Sequence, residues 1–166
     1  PMFRITRYIE TLVNPEPVAP HRKPAGPVVI WNLIRRCNLT CKHCYTTSAD
    51  IDFVGELDTG EVTTVMEDLR RFKVPMLILS GGEPLLRPDI FELSAYAKQL
   101  GFLLSLSTNG TLIDEDNIDR IAAADYDYVG ISLDGMGDTH DRFRQKEGSF
   151  EASLRGIELC KRRGIK

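Results

Sequence analysis

Met76-Leu77-Ile78-Leu79-Ser80-Gly81-Gly82-Glu83-Pro84 is a short apolar run that breaks into a glycine-rich turn. A run of this length, bounded by turn residues, reads as a buried strand. The pattern recurs on both sides: Val28 to Ile34, Phe102 to Leu106 and Tyr128 to Leu133 are the other strand candidates, and the last three strands begin 26 residues apart. Helix signals fall between them. Asp58 with Glu61 three residues on forms a capping pair, Pro88 suits a first helical turn, and Asp114 and Ser149 can each cap a helix. Gly101 and Gly164 stand where C-terminal cap glycines stand, so Ile165 and Lys166 read as the opening of a further strand. Apolar strands alternating with helices predict an α/β fold: a parallel sheet with helices outside, right-handed crossovers and four βα units. A barrel and an open doubly wound sheet both satisfy that pattern. The last strand is then expected to be an exposed edge, through which two copies could pair.

Pro15, Pro17, Pro20, Pro24 and Pro27 exclude helix interior from the stretch before the first strand. Residues 1–27 therefore read as a Pro-rich arm and 28–166 as the core, a piece of a longer protein that stops as its next unit begins. The chain of 166 residues, 42% hydrophobic and 27% charged, has the mixture of one globular domain rather than of a disordered, collagenous or coiled-coil chain. A net charge of −3 gives no basic footprint for nucleic acid. The longest apolar runs, Val28 to Trp31 and Met76 to Leu79, fall far short of the ~20 residues of a membrane-spanning helix. Charges scattered from Met2 to Glu10 leave no apolar segment of the secretory kind, and the address expected by default is cytoplasmic.

Polar residues gather just after each strand: Arg35 to Cys44, Ser80 to Pro84, Ser107 to Gly110 and Ser132 to Gly135. That carboxyl edge is where parallel α/β folds bind ligands. Cys37, Cys41 and Cys44, spaced C-x3-C-x2-C, can curl around one metal centre and leave it one protein ligand short. An iron–sulfur cubane takes four ligands when closed. A structural zinc site, completed by Cys160 or His43, is the competing reading. Cys160 itself falls three residues after Ile157 on the expected inner face of a helix, where a free cysteine packs as a small hydrophobe.

Cys37-Asn38-Leu39-Thr40-Cys41-Lys42-His43-Cys44-Tyr45, followed by Ser80-Gly81-Gly82-Glu83-Pro84, resembles the radical S-adenosylmethionine (radical SAM) enzymes from Val28 to Lys166. The resemblance implies an incomplete (βα)6 partial barrel in which Cys37, Cys41 and Cys44 hold three irons of a [4Fe–4S] cluster. The fourth iron is left to chelate S-adenosylmethionine, which is cleaved by an electron from the reduced cluster to methionine and a 5′-deoxyadenosyl radical. It also implies that Gly81 and Gly82 admit the cofactor close to the backbone, that Pro84 stiffens the turn and that Glu83 accepts a hydrogen bond from its amine. Asn109 and Ser132 become ribose candidates, and the loop carrying Asp134 joins them in holding the ribose and methionine ends. Arg144 becomes the partner of the methionine carboxylate. His43 takes a place where the family often sets an aromatic residue against adenine, with Tyr45 beside it. Read as residues alone, Glu83 could simply favour a helix start, and Asn109-Gly110 and Asp134-Gly135 could be turns. Trp31 reads as core, and Arg35, Arg36 and Lys42 as either counter-charges to the cluster or solvated neighbours.

The stretch from Gly26 to Cys37, with the Pro-rich arm before it, resembles the branch of the family that acts in haem d1 biosynthesis. That implies a sirohaem-derived tetrapyrrole substrate losing propionate side chains, an external electron donor, and an auxiliary iron–sulfur cluster in a carboxyl-terminal region this sequence does not contain. Relatives that make haem by an alternative route or modify peptides carry overlapping motifs. With part of the barrel missing, Glu83, Asn109, Ser132 and Arg144 are expected to be open to solvent, and this piece alone is not expected to turn over.

Overall fold

The computed structural model describes residues 26–166 together with Val13, so nearly all of the expected arm lies outside the described residues. Four parallel strands in the order β1-β2-β3-β4 form the sheet: β1 (Val28–Asn32), β2 (Met76–Ser80), β3 (Leu103–Thr108) and β4 (Tyr128–Ile131). Helices follow each strand: α1 (Thr59–Arg71), α2 (Ile90–Gln99), α3 (Ile118–Ala123), then α4 (Asp138–Arg144) and α5 (Ser149–Arg162). This is the α/β architecture the pattern predicts, and the sheet is not closed.

Strand alternation sorts the side chains. Leu77, Leu79, Leu104, Leu106 and Val129 point at the helices and are buried with Val62 and Met66 of α1, Ile90, Leu93 and Ala97 of α2, and Ile118 and Ile121 of α3. Cys160 lies in the same core, and Trp31 packs partly against it, both as expected. The opposite face keeps exposed apolar residues on β1 and β3, with Ile30 61% and Leu103 49% accessible. Among the described residues no helix is long and apolar enough to cross a membrane.

Several boundaries differ from the sequence expectation. β1 stops at Asn32, because Leu33 and Ile34 leave the ladder to meet the glycine turn after β2. Phe102 precedes β3, its side chain buried in the core and its amide bonded back to Ala97 O. The Asp58–Glu61 capping box forms as read. Pro88, however, stands before the N-cap Asp89, outside the helical turn. Asp114 closes a local turn on Asp116 and Asn117, and Asn117 is the cap residue of α3. Ser149 opens α5 but does not cap it; the Asp141 carboxylate does so from α4, accepting from the Gly148 and Phe150 amides at 2.7 and 2.8 Å and from Ser149 Oγ at 2.8 Å. At the far end Gly101 and Gly164 take positive φ, and Lys166 O accepts from the Val129 amide, extending the sheet beside β4.

Bonds from Phe150, then Ser149 and Gly148, hold the Asp141 carboxyl below the ordinary aspartate range, against the opposing effect of desolvation. A depressed folded-state pKa adds stability above the unfolded value of about 3.9, which is lost as pH falls through the folded value. Between about pH 5 and pH 2, urea midpoints of the wild-type chain should therefore fall more steeply than those of Asp141→Asn. Parallel curves would refute this capping role.

Candidate functional site

The turn after β2 packs closely against the chain leaving β1. Gly82 N donates to Ile34 O at 2.6 Å and Glu83 N to Arg36 O at 2.9 Å. A Cβ on Gly81 would lie 2.3 Å from Ile34 O, and one on Gly82 2.3 Å from Arg36 O, so both positions require glycine for backbone contact with the lead-in to the cysteine loop. Glu83 is fully buried, correcting the expectation of solvent access. Its Oε1 accepts from Thr108 Oγ1 at 2.7 Å and Leu85 N at 3.1 Å, and its Oε2 from Asn109 N at 2.8 Å. Burial pushes its pKa up, while these donors and the Arg144 charge oppose the shift. Pro84 then starts a 3-10 turn, Pro84–Leu86, capped by Glu83 itself. Arg87 follows, buried, donating to Leu33 O, Leu57 O and both oxygens of Asp89. Sequence reading passed over it; its only signal was an arginine flanking the proline-rich end of the motif.

The cysteine loop is fastened at several points. Cys37 N donates to Ala49 O, Cys44 N to Cys41 O, and Lys42 N to Phe143 O at the end of α4. Asn38 bridges to the loop after β3, accepting from Asn109 Nδ2 at 2.9 Å and donating to Thr111 Oγ1 at 2.8 Å. Cys37 is buried, Cys41 half-buried and Cys44 exposed. Desolvation pushes the Cys37 thiol up to about 11. At Cys44 desolvation is outweighed by hydrogen bonds from Thr46 and Ser48, which bring the thiol down to about 7. Among the described residues no three His, Cys, Asp or Glu side chains converge as ligands of a single ion. The donor set suits a cubane better than a closed tetrahedral zinc, since a cubane seats each thiolate on a different iron.

Across from the thiols, the loop after β4 and helix α4 place Asp134 and Arg144. Arg144, buried, sets Nη1 3.6 Å from Cys41 Sγ and Nε 2.7 Å from Asp134 Oδ2. The Nε–H is not directed at that oxygen, so these two buried atoms pair by charge without an aligned hydrogen bond. His43 Nε2 also lies 3.5 Å from Asp134 Oδ2, and its ring tilts over Phe143 at 5.7 Å. His140, a residue sequence reading did not single out, accepts from the Asp134 amide through Nδ1, while its buried Nε2 has no partner. The Arg144–Asp134 pair sets a cation and an anion side by side, a donor set complementary to a guest carrying a carboxylate and an ammonium.

The remaining candidates are distributed as follows. Asn109 is buried, its amide shared among Cys37, Asn38 and Thr111. Ser132 is half-buried and its hydroxyl makes no hydrogen bond among the described residues. Tyr45 is 79% exposed, its hydroxyl 3.4 Å from Asn32 Oδ1. Arg35 lies over the Phe53 ring and Arg36 pairs with Asp50 and Asp52, so neither faces the thiols. Lys42 is exposed without an ion pair among the described residues. Helix α5 backs the site: Ser153 Oγ donates to Asn109 O, and a Cβ on Gly156 would meet Gly110 O at 2.5 Å.

A parallel sheet carrying three thiols and a buried arginine paired with an aspartate on its carboxyl rim defines a cofactor-binding α/β domain of the partial-barrel type. The chain belongs to the radical SAM superfamily, whose family model matches residues 31–166. It is 55% identical over 165 residues to a pre-heme d1 synthase of Dinoroseobacter shibae, covering 99% of this chain and 41% of that protein. It is 47% identical over 144 residues to an Fe-coproporphyrin III synthase of Methanosarcina barkeri, covering 87% of this chain and 36% of that one. The chain thus spans about two fifths of the length of these relatives. Among solved structures it resembles native anSMEcpe with bound AdoMet, at 25% identity and a TM-score of 0.69 over 84% of this chain and 41% of that one.

Gly82→Ala should destabilise the chain by about 1–3 kcal/mol through overpacking against the Arg35 and Arg36 carbonyls. Gly60→Ala, whose Cβ meets only Asp58 Oδ1 at 3.4 Å, should not. Urea unfolding of the pair checks the claim, and equal midpoints would refute it. Glu83→Gln leaves an amide facing the Asn109 N–H or the Thr108 hydroxyl and should cost about 1–3 kcal/mol in the same assay.

Proposed function

We propose that this chain is the cofactor-binding core of a radical SAM enzyme acting on a sirohaem-derived tetrapyrrole, from which it removes propionate side chains. The observation that carries the cofactor half is the setting of the Arg144–Asp134 pair beside the cysteine loop, with Arg144 Nη1 3.6 Å from Cys41 Sγ. The substrate half is supported by the high identity to a pre-heme d1 synthase and an Fe-coproporphyrin III synthase.

In this reading the three thiolates hold a [4Fe–4S] cluster with one open iron. When bound, that cluster supplies the electron for reductive cleavage of S-adenosylmethionine to methionine and a 5′-deoxyadenosyl radical. Arg144 and Asp134 take the carboxylate and ammonium of the methionine end, since the buried Arg144 Nε and Asp134 Oδ2 atoms pair by charge without an aligned hydrogen bond. Ser132 offers a free hydroxyl to the ribose, and the His43 ring, with Phe143 beside it, a surface for adenine. Tyr45 borders that surface. Gly81, Gly82, Glu83 and Pro84 shape the site from beneath: Glu83 positions the Asn109 loop, and the glycines position the cysteine loop. Asn109 serves the cluster loop rather than the ribose, because its side chain is already shared among chain partners. Cys160 is buried in the core and supplies no ligand to a second centre, so an auxiliary cluster would need residues outside this chain. An external low-potential donor supplies the electron.

Anaerobic reconstitution with iron and sulfide, followed by electron paramagnetic resonance of the reduced protein, tests the reading. A cubane signal that shifts on adding S-adenosylmethionine and is absent in Cys41→Ala is the expected result. One tightly held zinc per chain and no cluster would overturn it. In the full-length protein a sirohaem-derived tetrapyrrole, and not a peptide, should raise 5′-deoxyadenosine formation; stimulation by peptide alone would transfer the assignment to the peptide-modifying branch.

A further inference from the structure

Each of the three cysteine sulfurs meets a side-chain hydrogen-bond donor of its own, and the donors come from three different segments. Asn109 Nδ2, on the loop after β3, lies 3.9 Å from Cys37 Sγ. Arg144 Nη1, at the end of α4, lies 3.6 Å from Cys41 Sγ. Thr46 Oγ1, on the cysteine loop, lies 3.2 Å from Cys44 Sγ. A thiolate has no hydrogen to give, so with Cys44 ionised the Thr46 hydroxyl is the donor and Ser48 Oγ, 2.6 Å behind it, donates to Thr46 in turn. The Asn109 amide has two N–H bonds, one for Asn38 Oδ1 at 2.9 Å and one for the sulfur.

We propose that Asn109, Arg144 and Thr46 form a set that raises the reduction potential of the metal centre held by these cysteines. The inference rests on the cluster reading above. Reduction adds one electron to the cluster, taken from a low-potential one-electron reductant, with no bond broken and no proton moved. The added negative charge is shared with the thiolate sulfurs, and a donor aimed at a sulfur stabilises the reduced form more than the oxidised one. Removing Arg144 takes away a positive charge as well as a hydrogen bond and leaves its partner Asp134 beside the site, so its contribution is the largest. The Thr46 and Asn109 donors are neutral and contribute less. None of the three is an iron ligand in this reading, so removing a donor changes the potential without removing a ligand. They act as positioning and tuning groups through the cysteines.

Thr46→Val removes the hydroxyl at nearly constant volume, at a half-buried position whose hydroxyl partners are Cys44 and Ser48. The full chain and its variants are reconstituted anaerobically, iron per chain is measured, and the midpoint potential is read by electron paramagnetic resonance during titration with dithionite. The expected result is wild-type iron content with a more negative potential in Thr46→Val, return toward the wild-type potential in Thr46→Ser, and a larger negative shift in Arg144→Gln. A wild-type potential in both Thr46→Val and Arg144→Gln overturns the inference while leaving the cluster assignment standing, as does a Thr46→Val shift that Thr46→Ser fails to reverse. Should Thr46→Val take up no iron, Arg144→Gln decides alone by the same criterion. A wild-type chain that takes up no cluster overturns the assignment of the site and this inference with it.

Discussion

A carboxylate with no exposed surface is tolerated only where donors surround it, and the Glu83 side chain finds its donors on two separate segments: Leu85 on its own turn, and Thr108 and Asn109 where β3 ends. Satisfying this one group therefore fixes the distance between two rim loops that the sheet alone leaves free. The consequences run outward. With Glu83 seated, Pro84 begins a single 3-10 turn, and Arg87 emerges at its end facing the Leu33 and Leu57 carbonyls and the Asp89 carboxylate. That guanidinium joins the end of β1, the approach to α1 and the start of α2, so one buried acid and one buried base between them tie the first three βα units together.

The same turn governs the cysteine loop through backbone contact. Gly81 and Gly82 lie so close to Ile34, Arg35 and Arg36 that no Cβ fits, and the chain leaving β1 is thereby pressed onto the carboxyl edge before Cys37 is reached. From there the loop is fixed laterally, by Asn38 to Asn109 and Thr111 and by the Lys42 amide to Phe143. Asn109 stands at the crossing of both systems: its amide N–H satisfies Glu83, its side chain reaches Cys37 and Asn38, and its carbonyl takes the Ser153 hydroxyl from α5. In the folded chain the glycine motif makes room for the chain leaving β1.

This explains how far the sequence could be read. Periodicity and length separate strands from helices because burial on a sheet and burial on a helix face impose different repeats, so the four strands, the parallel α/β order and the capping box of α1 were all legible. The grouping of three thiols on one loop was legible because their spacing is local. What escaped were features that depend on a partner in another element or loop. Asp141 caps α5 from another helix, so Ser149, the residue with local capping chemistry, was taken for the cap. Arg87 and His140 owe their roles to carbonyl and amide groups of other loops. Glu83 and Arg144 were expected at a solvent-exposed rim, yet burial follows from donors and acceptors that only the fold assembles.

The rim also carries an asymmetry that follows from burial alone. Arg144 sits between two groups that can be anionic, Asp134 and the Cys41 thiolate, with its side chain 9% accessible against 25% for that of Asp134. A guanidinium so enclosed cannot be left unpaired, whereas the Asp134 carboxylate, lacking an aligned hydrogen bond to Arg144 and standing nearer solvent, gives up little by turning toward another cation. An ammonium entering from the open side would therefore draw on Asp134, and the carboxylate attached to it would replace Asp134 as the partner of Arg144. The Asp134 backbone need not follow, because His140 holds its amide from behind. The Arg144–Asp134 ion pair thus sets side by side the two charges complementary to an amino-acid head group, with Asp134 neutralising Arg144.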